Sequence, residues 1–363
     1  MSLPTIDVAV PCYRYGKMLP TAVGSVLEQE GVEVRVRIID DASDDDSADV
    51  ARELATADPR VDVVVHETNK GHIATFTEGA VEWPEADYTV LMSADDALTP
   101  GSLQRAAAVM EAHPDVVLVY GPSISWFGEL PLPAARQGAG ASVVHKGGDW
   151  LRTRFEEAAN CIASPTAVTR TSVQKQVGGY DPNLLHTSDL DMWMRMAMHG
   201  DVGFVVDADQ AYCRGHEANM SVAYEESDGG LGDLQMRLRA FLALLGKAEG
   251  RLDGVGGGPA ALERTVRRRL ASEALLRVTR SYDKGSYDER IADALVAFAR
   301  ETVGESITGT GEDVRSLPMW RPLQLRRKIG AKAMPSLRYL VLPAVARRVR
   351  QLGRERRLAR RGV

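Results

Sequence analysis

The stretch YTVLMSADDALTPGSL, Tyr88 to Leu103, runs an apolar segment into Ser93-Ala94-Asp95-Asp96 and then into Thr99-Pro100. A short apolar run bounded by polar residues reads as a buried strand. A proline ahead of a periodic apolar segment reads as a helix start. Two adjacent carboxylates therefore stand where a buried strand ends.

Working outward, the same pattern repeats. TIDVAV, VEVRVRII, VDVVVH and DVVLVYG read as strands, and MLPTAVGSVLEQE, DSADVARELATA, HIATFTEGAVEW and PGSLQRAAAVMEAH as helices between them. Such alternation predicts an α/β fold, a mostly parallel sheet flanked by helices. After residue 121 the rhythm breaks. GPSISWFGELPLPAARQGAGAS reads as a loop or mobile flap, DWLRTRFEEA and SDLDMWMRMAMHG as helices, and DVGFVVD as a strand. Two amphipathic helices beyond residue 225, split by DGVGGGP, predict a C-terminal helical appendage.

In parallel α/β sheets, ligands bind beyond the carboxyl ends of the strands. Three clusters fall there: Pro11-Cys12-Tyr13, Asp40-Asp41-Ala42-Ser43, and Ser93-Ala94-Asp95-Asp96. One cluster alone is accounted for by a turn or a helix cap. Together they gather four carboxylates on one edge, where like charges repel unless a cation or ligand compensates.

The ordered set VAVPCYRYGKMLPTAVGSVLEQ, RIIDDASDDDS, NKGH, LMSADDALTPGSL and HTSDLDMWMRM resembles the family 2 glycosyltransferases, over residues 5 to 223. The resemblance implies a GT-A-type, Rossmann-like fold. It divides the chain into a catalytic domain at 1–224 (a nucleotide-sugar half at 1–120, an acceptor half at 121–224), a helical region at 225–310 and a basic tail at 311–363. It also implies an inverting, metal-dependent transfer from a nucleotide-sugar, a UDP-sugar first, to a hydroxyl of a saccharide, lipid-linked or natural-product acceptor.

Residue roles follow from the resemblance and from side-chain chemistry. Asp95 resembles the last acid of the family's metal-binding DxD motif, with Asp96 beside it and Ser93 in place of the first acid. Hard cations such as Mg²⁺ or Mn²⁺ suit carboxylate and phosphate oxygens. His216 matches a further metal or diphosphate contact. Asp41 resembles the acid that accepts the uracil ring N–H, which suits a group that only accepts. Pro11 and Tyr13 would flank the base, Ser93 and Ala94 would approach the ribose, and Asn69 and Gly71 lie on a loop near the nucleotide. Phe76 and Thr77 stand where the family has Arg and Asn, so the usual basic contact is missing. Ser188-Asp189 replaces the family's Glu-Asp. Asp189 is assigned as general base, with Asp191 as its rival; at that spacing the two cannot share a helical face. Trp193 and Arg195 would meet the acceptor, although Trp193 packing in the core is an equal reading.

The chain has 363 residues and a net charge of −6. Residues 326–363 hold 13 bases and one acid, a net of +12, leaving 31 bases and 49 acids elsewhere. The basic tail reads as a peripheral membrane contact, a helix packed on the acidic body, a homo-oligomer contact or a disordered segment. Its apolar run is too short to span a bilayer, and no nucleic-acid motif accompanies it. Three scattered cysteines, no leader pattern and no membrane span make a cytoplasmic setting, including the inner membrane face, the expectation. The alternative functions are a non-catalytic nucleotide-sugar-binding protein of the same fold, kept open by Ser93 and Ser188, and a nucleotidyltransferase.

Overall fold

The computed structural model describes residues 2–128, 130–215, 228–284, 288–304, 313–329 and 358–363. In chain order the elements are β1 (Thr5–Cys12), α1 (Leu19–Leu27), β2 (Glu33–Asp40), α2 (Ser47–Ala57), β3 (Val61–Val65), α3 (His72–Thr77), β4 (Tyr88–Leu91), β5 (Ala97–Leu98), α4 (Ser102–Ala112), β6 (Val116–Tyr120), β7 (Ser123–Trp126), β8 (Ser142–His145), α5 (Gly147–Glu157), β9 (Val168–Arg170), α6 (Thr171–Val177), α7 (Ser188–Ala197), β10 (Asp201–Val205) and β11 (Ala211–Arg214). Four further helices follow: α8 (Leu231–Lys247), α9 (Pro259–Lys284), α10 (Glu289–Gly304) and α11 (Trp320–Ile329).

The chain divides into two units. The first comprises residues 1–150, 161–217 and 359–362. Among its described residues, eight strands form one sheet in the order β3-β2-β1-β4-β9-β6-β10-β8. β1 pairs in parallel with β2 and β4, β2 with β3, and β6 with β10. β9 runs antiparallel between β4 and β6, and β8 antiparallel on β10. The architecture is thus the mixed α/β sheet expected, with one reversal inside it: DVVLVYG does not pair with YTVLM, because β9 lies between them. Ile6 to Val10 of β1 are all buried, the state of a strand covered by helices on both faces.

Five short strands escape the sequence reading, and three of them, β5, β7 and β11, matter most for the site. β5 begins at Ala97, directly after Asp96, and pairs antiparallel with β11. β11 in turn pairs in parallel with β7. Part of the segment read as a loop or flap is therefore strand. Ser123–Trp126 alternates as a strand should, but its Gly and Pro neighbours hide it.

α3 continues into a π-helical turn at Glu78–Glu82. A Cβ on Gly79 would come within 2.7 Å of the Ala9 Cβ, so only glycine lets this turn lie so close to β1. The wider turn swings Glu78 toward β3.

The second unit comprises residues 151–160, 218–358 and 363. In α8, Leu234, Ala240, Phe241 and Leu244 are fully buried, and Phe241 packs on Phe155 at 4.9 Å between ring centroids. A closed ion network ties α8 to α9. Arg237 reaches Asp233 at 2.9 Å and Glu273 at 2.8 Å, and Arg277 reaches both acids at 2.9 Å. Burial pushes the Glu273 carboxyl up, but the two guanidinium groups outweigh it and hold the group at about 2, below its ordinary 4.5. A depressed carboxyl pKa stabilises the fold fully above the ordinary value, and that contribution is lost as pH falls through the folded one. Removing one partner of such a network strands a buried charge. Glu273→Ala should lower the unfolding free energy by ~3–5 kcal/mol, read as a fall in urea midpoint at neutral pH, with a smaller difference from wild type near pH 2.

Candidate functional site

Three strand ends of the first unit are stitched together by backbone hydrogen bonds. Asp41 N–H donates to Cys12 O at 2.9 Å, and Ala94 N–H donates to Pro11 O at 3.3 Å. The ends of β2, β1 and β4 therefore carry Asp41, Tyr13 and Ser93–Asp96 to one edge. Tyr13 is 41% exposed, and the Arg14 guanidinium stands 5.0 Å from its ring. Arg14 takes a positive φ of 62° and forks onto Asp44. Asn69 and Gly71 lie on the loop that Asp41 grips.

Asp41 is 4% exposed. Its Oδ1 accepts from His66 Nδ1 at 2.7 Å and from Lys70 N–H at 2.8 Å, and its Oδ2 from Gly71 N–H at 2.9 Å. Burial pushes this carboxyl up, but His66 and the two loop amides more than offset that and hold it below the ordinary range. The group is thus a fixed anion. A carboxylate offers roughly four acceptor positions, so one remains on Oδ2. Gly71 has φ +83°, a conformation glycine favours, and its N–H also meets Asn69 Oδ1 at 3.0 Å. Asp40 is wholly buried; its Oδ2 accepts from Ser43 N–H at 3.1 Å, which shapes the turn.

The second sheet closes around Asp95-Asp96. Arg214, the last residue of β11, donates its N–H to Asp96 Oδ1 at 3.0 Å. Its guanidinium lies flat on Trp126, 3.7 Å from the ring centroid, and bonds Gly128 O at 2.8 Å. Burial and the charge of Asp95 push the Asp96 carboxyl up to about 8. Burial and the same two carboxylates push the Tyr15 hydroxyl up to about 12. Like-charge strain of this kind is what a bound cation relieves, so the pair fits a divalent metal. Among the described residues, no three His, Cys, Asp or Glu converge as a metal cluster, so phosphate oxygens and water would fill the remaining positions. His216 lies outside the described residues.

α7 separates its two acids. Asp191 is wholly buried and pairs with Arg195 at 2.7 Å. Arg195 also bonds Val177 O and Gly179 O. Trp193 is 2% exposed. The expected second base and both expected acceptor contacts therefore lie in the interior. The reason is packing: α7 is buried on nearly its whole circumference, so Asp191 and Arg195 on one side and Trp193, roughly 200° round from Asp191, are all enclosed. Asp189, two residues from Asp191 and roughly 200° round the helix, stays partly exposed. Thr187 stands at the N-cap.

Tyr180 is 5% exposed, lies close enough to Asp189 to have its hydroxyl raised by burial and that charge, and packs edge-on against Phe76. A cavity of about 550 Å³ is lined by Lys70, Gly71, His72, Glu78, Tyr180 and Leu185 among others. His66, Glu78, Tyr180 and Arg214 were missed from sequence. For His66 the signal was present: parallel register sets Val65 beside Asp40, so the next residue falls beside Asp41.

Comparison with known proteins agrees with this geometry. MT1568, an uncharacterized protein of Mycobacterium tuberculosis, is 28% identical over 223 residues, which is 56% of this chain and 65% of that protein. The chain spans less than two thirds of the length of the first curated relatives it matches. Two solved structures share the fold. TarS 1-349 of S. aureus in complex with UDP-GlcNAc aligns at TM-score 0.52 and 15% identity, over 82% of this chain and 92% of that one. The mannosyltransferase PcManGT of Pyrobaculum calidifontis in complex with GDP-Man and Mn²⁺ aligns at 0.52 and 16%, over 91% and 87%. Residues 7–138, which hold β1 through β7 and the clustered strand ends, match the family model of Glycosyl transferase family 2.

Proposed function

We propose that the protein transfers a sugar from a nucleotide-sugar, a UDP-sugar first, to a hydroxyl acceptor with inversion at the anomeric carbon. The observation that carries this reading is the convergence of Asp41, Tyr13 and Asp95-Asp96 on one sheet edge. Asp41 accepts the imide N–H of the base through its remaining lone pair, and Tyr13 lies against the ring. Asn69 and Gly71 hold the loop around it, with Pro11, Ser93 and Ala94 beneath the nucleoside. Asp95 and Asp96 hold a divalent cation, Mg²⁺ or Mn²⁺, which when bound offsets the charge that grows on the diphosphate. Arg214, clamped on Trp126, supplies the positive charge that Phe76 and Thr77 do not. Asp189 takes the acceptor proton as its oxygen attacks the anomeric carbon. One base and, among the described residues, no second nucleophile make a single in-line displacement, with positioning and electrostatics as the main sources of rate.

No helix among the described residues is long and apolar enough to cross a membrane, and residues 330–357 of the basic tail lie outside the described residues. The test is a thermal-shift series. UDP at 100 times its dissociation constant should add about 2.7 kcal/mol to the unfolding free energy, and Mn²⁺ should enlarge the effect. Stabilisation by GDP but not UDP would overturn the base preference. UDP binding with no transfer to any hydroxyl acceptor would favour the non-catalytic alternative.

A further inference from the structure

His66 is used by nothing in the reaction just described, yet it is one of the most enclosed polar side chains at the site. Its side chain is 2% exposed. Nδ1 meets Asp41 Oδ1 at 2.7 Å, and Nε2 meets Glu78 Oε2 at 3.0 Å. Lys70 Nζ reaches the same Glu78 oxygen at 3.2 Å. The imidazole is thus a rigid spacer between two carboxylates on different elements, one after β2 and one on the π-helical turn. Ionised carboxylates only accept, so the proton of the Asp41 contact comes from Nδ1. The Glu78 contact is a hydrogen bond when either partner carries a proton.

We propose that His66, braced by Glu78, is the positioning residue for nucleotide-base recognition: it fixes the rotamer of Asp41 so that the remaining Oδ2 lone pair faces the base N–H. This rests on the reading of Asp41 as the base-reading group. The backbone amides of Lys70 and Gly71 fix where the loop sits relative to Asp41, but both move with the loop. His66 instead follows β3, whose backbone is locked to β2 by the bond from His66 N–H to Asp40 O at 2.9 Å. The ring therefore ties the carboxylate to the sheet rather than to the loop. Glu78 stops the ring from turning about its Cβ–Cγ bond. A carboxylate held this way discriminates for a base with a ring N–H and against one that presents only acceptors there.

The experiment measures UDP binding with Mn²⁺ by calorimetry, and donor KM and kcat, for wild type, Asp41→Asn, His66→Gln and His66→Asn. Gln places its amide near Nε2 and abandons Asp41. Asn places its amide near Nδ1 and keeps it. His66→Gln should weaken UDP binding ~10- to 100-fold, the scale of losing one hydrogen bond to a buried ionised group, and raise donor KM in step while kcat at saturating donor changes far less. His66→Asn should recover most of the loss. Inorganic pyrophosphate with Mn²⁺, which lacks a base, should bind all variants alike. Should His66→Gln fail to fold, the wild-type imidazole resonances of His66 read the same contact: they should shift when UDP is added and not when pyrophosphate is. If Asp41→Asn weakens UDP binding and His66→Gln does not, the positioning role falls and the reading of Asp41 stands. If Asp41→Asn binds UDP like wild type, both fall.

Discussion

Asp189→Ala should lose ~10²–10⁴-fold in transfer rate, the usual worth of a positioned general base, while UDP affinity stays near wild type. Asp189 is the acid of α7 that remains partly exposed, and Asp191 is closed off by Arg195 at 2.7 Å. The two substitutions should therefore differ in kind. Asp191→Ala leaves Arg195 charged in the interior with two carbonyls as its remaining protein partners, so its effect should appear first in thermal stability, by ~3–5 kcal/mol. Asp189→Ala should melt close to wild type and fail in single-turnover transfer. A lower kcat for Asp191→Ala at unchanged stability, with Asp189→Ala fully active, would reverse the assignment.

The second large effect concerns Asp95→Asn. It should reduce Mn²⁺-stimulated turnover ~10²–10³-fold, the scale of removing one preorganised electrostatic contact to the leaving group. It should also change how metal binding depends on pH. Asp96 sits at about 8, against an ordinary 3.8, because it is buried beside Asp95. Between those values the folded protein holds a proton that the unfolded chain has released, so stability without metal falls as pH rises through that window and levels above it. A cation must displace the same proton. Apparent Mn²⁺ affinity should therefore climb up to ~10-fold per pH unit toward about pH 8 and then flatten. In Asp95→Asn the like-charge cause is gone while burial, the larger cause, remains, so the pH window of both effects should narrow from its upper end. Calorimetric titrations with Mn²⁺ and UDP at several pH values, together with melts of the metal-free protein, measure both. A flat Mn²⁺ profile in wild type would remove the pair from the metal site.

Most of what places the site was readable along the chain. The alternation from TIDVAV to DVVLVYG announces a sheet with one chemical edge, because strand ends and the turns after them are local: each depends on a few neighbouring residues and on a period of two or 3.6. The clusters at Pro11, Asp41 and Asp95 follow from the same local pattern, and the backbone bonds between β1, β2 and β4 bear out that they share an edge. What stayed hidden depends on pairing between distant segments. β5 is two residues long, too short to show a period, and the alternation of β7 is masked by its Gly and Pro neighbours. Both exist because β11, more than 80 residues later, pairs with each. That small sheet is what sets Arg214 beside Asp96.

Sequence alone determined the α/β class, the sheet edge where the three polar clusters gather and the carboxylates on it, since periodicity and turn composition are properties of short windows. Only the tertiary structure decided which carboxylates are available. Asp191, Trp193 and Arg195 differ little from Asp189 as written letters, yet burial removes them, because the direction a side chain takes on α7 is set by what packs against the helix. The same holds for His66, whose place between Asp41 and Glu78 comes from strand register and a π-helical turn rather than from any motif.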